Sequence, residues 1–320
     1  MILKGIGLKI AATFVFALMA AIIKSMAARY PVGQVVLFRS LFALVVLVAW
    51  LYSRGEFPRA LHTLRPFGHI GRSIAGSGGM FANFIALSLL PLADATAFTF
   101  ATPLIVVPLA ALVLGETVRV YRWSAVALGF VGVLVMLSEH LGEEFTAPGA
   151  MTGATIGAFV ALGGAVSSAV AMIQTRRLTR TETTGAIVFY FSALTAVAGA
   201  LVLIVAALWP EGAPGSAFAA GQRFVTPSPG DMFWLASIGL FGGGGQIMMT
   251  HSYRFADASI IAAFDYVAML WAVILGLLIF GESPSPRILL GAIIVVASGA
   301  FVIWREHRLA LVRVRVAEVA

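Results

Sequence analysis

Two ionisable side chains stand where a bilayer would make them expensive. Asp265 lies about two turns inside the apolar run 258–280, and it is the one acidic side chain set well inside any predicted span. Ionisable groups at that depth mark sites by default. A carboxyl group there can carry a proton through a cycle or hold a cationic group of a substrate. A structural acid bonding a neighbouring helix is the other reading. Ala258, Ala262, Ala268, Met269 and Ala272 share or flank its helical face, which leaves room for a ligand or for close helix packing. Arg39 is about two turns into the run 32–52. It can bind a substrate carboxylate, pair with Asp265, or snorkel to the outer face along its long stem.

Polar companions to these charges are few. Asn83 and Gln246 offer amide donors and acceptors in the runs 69–90 and 232–253. Tyr190, Tyr266 and Thr99 are further candidates of the same kind, and Trp271 is the one tryptophan in mid-span. Each has a structural alternative, an interhelical hydrogen bond or packed bulk. Gly242, Gly243, Gly244 and Gly245 precede Gln246. Four glycines in a row loosen a helix, so they read as a hinge or a very close helix contact. They are no phosphate loop, because no Lys-Ser/Thr follows.

The elements that must position these residues follow from composition. Of 320 residues 60% are hydrophobic and 11% charged. A soluble domain of that size needs a charged surface, so the chain reads as a polytopic membrane protein whose partner is the lipid bilayer. The fold class expected is all-α integral membrane. Ten apolar segments lie near 6–28, 32–52, 69–90, 93–114, 122–137, 150–175, 186–208, 232–253, 258–280 and 288–304. The first reads as a span rather than a signal peptide. Five tryptophans, Trp50, Trp123, Trp209, Trp234 and Trp304, fall at segment ends, as an interfacial belt requires.

The net charge of +7 does not point to nucleic acid, because the basic residues fall in short connections between apolar runs. With no cysteine, thiol and iron–sulfur chemistry are excluded, and five scattered histidines give no metal-ligand spacing. No cofactor is expected. Placing the N-terminus inside puts sixteen Lys/Arg on the cytoplasmic side, Lys9 and Arg72 among them. Only Lys24, Arg29, Arg223 and Arg287 fall outside. The expectation is a multi-pass protein of the inner (plasma) membrane with both termini cytoplasmic.

The chain repeats itself. Gly76–Thr96 aligns with Gly239–Ser259 without a gap: Gly79 meets Gly242, Asn83 meets Gln246, and Ala93-Asp94-Ala95-Thr96 meets Ala256-Asp257-Ala258-Ser259. Gly115-Glu116 then meets Gly281-Glu282, and Phe38-Arg39-Ser40 meets Tyr190-Phe191-Ser192. Asp94 and Asp257 read as helix N-caps, Glu116 and Glu282 as structural ends of spans. Two units result, 1–146 and 147–309, followed by a basic tail, 310–320. Each holds five spans, an odd number, so the second enters the membrane from the opposite side. Inverted repeats place a ligand site near the midplane and supply two mirror-related states, which is what a transporter needs.

The duplicated Pro-Leu-Ala-Asp-Ala-Thr-Ala-like entry and Gly-Glu exit resemble the EamA-type units of the drug/metabolite transporter superfamily, over nearly the whole chain. The resemblance implies ten helices in two inverted five-helix repeats. Spans one to four and six to nine would surround a cavity, with spans five and ten outside it. Phe264-Asp265-Tyr266 followed by Leu270-Trp271-Ala272 is similar to carriers of riboflavin, S-adenosylmethionine and amino-acid-like metabolites. Many family members carry a proline thirteen residues before the Glu of both units. Here Pro103 fills that place before Glu116, but Met269 fills it before Glu282. The function expected is secondary transport of a small polar metabolite (amino-acid-like, amine or vitamin/nucleoside-derived), with a proton as candidate coupling ion. An integral-membrane enzyme and a passive channel are the alternatives, and association into a homodimer stays open.

Overall fold

The computed structural model describes residues 2–115, 118–141, 152–179, 181–252, 255, 264 and 267–319. Asp265 and Tyr266, and with them Glu116 and Asp257, lie outside the described residues. The described chain is helical, without strands. Its helices are α1 (Ile2–Met26), α2 (Val32–Ser53), α3 (Pro66–Leu89), α4 (Leu92–Thr99), α5 (Ala101–Leu114) and α6 (Val120–Leu141). After these come α7 (Gly153–Leu178), α8 (Thr184–Leu208), the short α9 (Ser216–Gly221), α10 (Pro229–Ser252), α11 (Val267–Leu275) and α12 (Pro286–Val319).

Seven stretches among the described residues are long and apolar enough to cross a bilayer: α1, α2, α4 with α5, α6, α7, α8 and α10. The segments at Val267–Phe280 and Pro286–Val302 are apolar but shorter. Although α3 has 24 residues, His69, Arg72, Asn83 and five glycines dilute its hydropathy. Large apolar side chains on the bundle surface face outward, such as Leu112, Leu278 and Ile74 at 82%, 75% and 70% exposure. Patches of that kind suit lipid and not water.

Breaks in the helices have local causes. Pro103 cannot bond the carbonyl of Thr99, four residues back, and its ring clashes with it. The fourth segment accordingly breaks at Phe100, between α4 and α5. Met269 imposes no such break, and α11 runs straight into a π-helical stretch, Gly276–Phe280. Both exits end on a glycine at φ +66°, Gly115 and Gly281. A side chain at that φ would be strained, so glycine closes both helices.

Asp94 is not the N-cap that the sequence suggests. Pro91 occupies that position, with no side-chain cap bond, and Asp94 falls inside the first turn. The Leu92 N–H is instead satisfied from a distance, donating to Glu282 Oε2 at 2.9 Å. Glu282 also pairs with Lys24 at 2.9 Å, and Lys24 donates to the Leu90 carbonyl. This bears out a structural role for Glu282. Asp94 lies 3.3 Å from His140 of α6, both side chains buried.

Interhelical bonds sort the connections into two ends. At one end Arg29 and Tyr30 reach Asp231, Gln34 exchanges two hydrogen bonds with Val225, and Lys24 meets Glu282. At the other Thr183 donates to the Ala60 carbonyl, Tyr190 to that of Leu61, and the Leu64 N–H to Glu182. Close crossings join the helices between. A methyl on Gly199 of α8 would stand 2.8 Å from the Gly33 carbonyl of α2. One on Gly132 of α6 would stand 2.7 Å from the Gly291 carbonyl of α12. Extensive contacts pair α1 with α10, α3 with α7, α2 with α8 and α6 with α12.

Candidate functional site

A cavity of about 680 Å³, its open mouth included, lies between α2, α3, α8 and α10. Its lining comes from the C-terminal parts of α2 and α10 and the N-terminal parts of α3 and α8. All four belong to the Ala60–Thr183 end of the bundle. Towards the opposite end α2 and α8 close on each other at Gly33 and Gly199. The cavity therefore runs from the middle of α2, at Arg39, to Trp50 near its end.

Two guanidinium groups enter this space. Arg39 forms no ion pair among the described residues, and its buried Nε has no hydrogen-bond partner. Arg72 of α3 donates through Nε to Thr175 Oγ1 at 3.2 Å and lies 3.8 Å over the Phe191 ring, while its buried Nη1 has no partner. Glycines make room for both. A methyl on Gly76 would lie 2.8 Å from Arg72 Nη1 and 2.7 Å from the Phe191 ring. One on Gly242 would lie 3.2 Å from Arg39 Nε. Gln246, Ser192 and Thr184 add neutral polar groups, and Leu47, Trp50, Val188 and Ile247 an apolar wall. No acidic residue among the described ones lines the cavity.

The residues singled out from the sequence separate in space. Arg39, Gln246, Gly242 and Gly243 line the cavity. Asn83 does not; it lies where α3 crosses α7, its backbone N 3.6 Å from the place of a Gly164 methyl. Thr99 spends its hydroxyl on the Thr96 carbonyl. Tyr190 packs against His69, the rings tilted by 36° with centroids 4.7 Å apart. Trp271 meets Phe14 of α1 edge-on at 5.0 Å, with its Nε1 buried and unpartnered. Tyr190 and Trp271 thus pack in places other than the cavity wall.

Arg72 was missed as a site residue. Its place close after Pro66 reads as an orientation charge, and only the stacking on Phe191 and the space at Gly76 reveal its role. Lys9, counted in the same way, is fully buried within α1. Also missed was a buried pair beside the cavity mouth: His69 Nε2 lies 3.5 Å from Glu182 Oε2, both side chains 1% exposed. Burial pushes the Glu182 carboxyl up. The Leu64 N–H, the Thr63 hydroxyl and His69 outweigh that and hold it below the usual glutamate range.

Gly242–Gly245 lie in an unbroken stretch of α10. Methyls at Gly243 and Gly245 would meet Val46 and Phe16 at 2.9 Å, whereas nothing stands within 4 Å of one at Gly244. Close packing thus accounts for Gly242, Gly243 and Gly245, and Gly239, one turn before Gly243 on the same face, packs on Phe42 while Gly243 packs on Val46. The hinge reading remains a proposal. Gly244→Ala is expected to stabilise the protein by up to about 1 kcal/mol, the helix-propensity gain. Gly243→Ala should destabilise it by roughly 1–3 kcal/mol through overpacking. Thermal unfolding in detergent checks both, and equal effects would refute this account of the face.

A model of the EamA-like transporter family matches residues 3–138 and again 155–304. Among curated proteins the chain is 26% identical to the S-adenosylmethionine uptake transporter of Rickettsia prowazekii, over 86% of this chain and 84% of that protein. It is 26% identical to the pseudopaline exporter of Pseudomonas aeruginosa strain UCBPP-PA14, over 92% and 94%. With the riboflavin transporter of Rhizobium johnstonii the identity is 29%, over 78% and 74%. A protein of known crystal structure superposes with a TM-score of 0.62 at 20% identity, covering 92% of this chain and 96% of that one.

Proposed function

Because the chain belongs to the EamA-like transporter family, we propose that it moves a small polar metabolite across the inner membrane by alternating access, as a secondary transporter. The observation that carries this reading is the cavity between α2, α3, α8 and α10. Its lining lies at the Ala60–Thr183 end of the bundle, away from the close crossing of Gly33 and Gly199, and holds both polar and apolar groups.

Ten spans in two inverted units, 1–146 and 147–309, fit this function. The two separate family matches support the duplication. So does the helix pairing: exchanging the halves turns the contact of α1 with α10 into that of α7 with α3. By the Lys/Arg bias the end that holds the cavity is the cytoplasmic one, which makes this an inward-facing state. An impermeant maleimide on intact cells should then label Glu211→Cys and not Thr181→Cys, and the reverse pattern would overturn the orientation.

The relatives' names cover uptake and export of chemically different metabolites. They support a small-molecule substrate and leave the direction open. Within the proposal Arg39 and Gln246 contact substrate in the cavity, and Asp265 and Tyr266 contribute from the ninth span.

Counterflow in liposomes tests the function. Protein preloaded with a metabolite mixture should take up a labelled member of it transiently and saturably. Linear, non-saturating flux would indicate a channel, and chemical conversion of the label an enzyme.

A further inference from the structure

We infer that the cavity binds its substrate through an acidic group, a carboxylate or phosphate held between Arg39 and Arg72. The inference rests on the transport reading above and narrows its substrate class.

Charge is the first ground. Two guanidinium groups share one cavity wall, close enough for their charges to interact, and among the described residues no carboxylate lines the cavity to offset them. Buried cations without a counter-charge are costly, and structural ones are paired. Lys24, 14% exposed, faces Glu282 in this way, whereas Arg39 and Arg72 line the cavity and face no carboxylate among the described residues.

Geometry is the second ground. Arg39 Nε and Arg72 Nη1 are buried donors without acceptors. Arg72 is held rigidly from behind, by Thr175 at 3.2 Å and by the Phe191 ring at 3.8 Å. That leaves part of its fork unused. A fixed guanidinium presents parallel N–H groups that match the two oxygens of a carboxylate or phosphate. The glycines at positions 76 and 242 leave the space that both groups occupy.

The remaining lining shapes the rest of the ligand. Leu47, Trp50, Val188 and Ile247 would take an apolar or planar body, and Gln246 and Ser192 a neutral polar group. An amine as the sole charged group of the substrate is disfavoured, because it would enter a site already carrying two positive charges. An amino acid or other zwitterion fits if its ammonium lies away from both arginines.

The test uses purified full-length protein in detergent and a panel of carboxylates and phosphomonoesters, with amines and uncharged metabolites of matched size. Ligands that raise the melting temperature are then assayed by counterflow. The acids are expected to supply the compounds that bind and exchange. Arg39→Gln and Arg72→Gln should each weaken acid binding at least about tenfold, the loss of one charge-assisted contact. Because Arg72→Gln also removes an internal bond, Gln246→Glu serves as a variant that keeps both arginines. Its new carboxylate should compete with the ligand and weaken acid binding by a similar factor.

Amines or uncharged compounds binding and exchanging in place of acids would overturn the inference and leave the transport reading intact. Acid affinity unchanged in the double Arg39→Gln, Arg72→Gln variant would do the same. No binding and no counterflow by any compound would remove the transport reading itself, and this inference with it.

Discussion

Glu282→Gln is expected to loosen the closed end of the bundle, the end away from the cavity. Glu282 does three things there. It pairs with Lys24 of α1 at 2.9 Å, it accepts the Leu92 N–H at the start of α4, and it follows the αL glycine that ends the ninth segment. One carboxylate thus ties three helices. The side chains of Lys24 and Glu282 are 14% and 25% exposed, so the pair is neither a screened surface pair nor a dry one. Its loss should fall between the two limits, at about 2 kcal/mol. A shift of that size changes a conformational ratio roughly thirtyfold. Ser40 is fully buried beyond Arg39, and Ser40→Cys gives a nearly isosteric probe in this cysteine-free chain. In the Glu282→Gln background an impermeant maleimide applied from the closed side should label it about thirty times faster. Adding Lys24→Met should recover part of the loss, because a stranded ammonium costs more than an absent pair. Labelling at the original rate would show that Glu282 only caps α4.

Much of this was legible in the sequence. Hydropathy and length located the helices, and Pro103 marked the break at Phe100. Gly115 and Gly281 end their helices as their place before Glu suggests. Arg39 stood out as a charge in mid-run, with snorkelling as its bland alternative. What stayed hidden depends on packing across helices. Arg72, at a segment edge, cannot be told from an orientation signal without knowing that Phe191 lies beneath it. Glu182 and His69 are 113 residues apart, and nothing local pairs them. Asp94 was misread because Pro91 begins the helix one turn earlier than an Asp cap would, and the orphaned N–H is satisfied by a residue 190 positions away. Caps supplied from a distance leave no local pattern to read.

Asp265→Asn is expected to abolish proton-driven accumulation while leaving exchange intact. The premise is that Asp265 takes up a proton during the cycle, the role proposed for the lone acid deep in a span. The acid-binding cavity gives that role a reason. A carboxylate or phosphate crossing alone carries negative charge, and a membrane potential negative inside opposes its entry by about 2.3 kcal/mol per charge at 100 mV. A proton carried with it cancels one charge and couples uptake to the proton gradient. Asn keeps the size and hydrogen bonding of Asp but fixes the charge at zero. Net proton-linked movement should therefore fail. Exchange of labelled for unlabelled substrate across a membrane without gradients moves no net proton, and it should survive. If Asp265 instead holds an ammonium group of a zwitterionic substrate, accumulation and exchange should fall together, because a buried charge-assisted contact is lost from both. The two roles separate in one preparation: liposomes with and without an imposed pH gradient, assayed with the same labelled acid. Normal accumulation, normal affinity and an unchanged pH profile in correctly folded Asp265→Asn protein would rule out both roles and leave Asp265 a structural acid between helices.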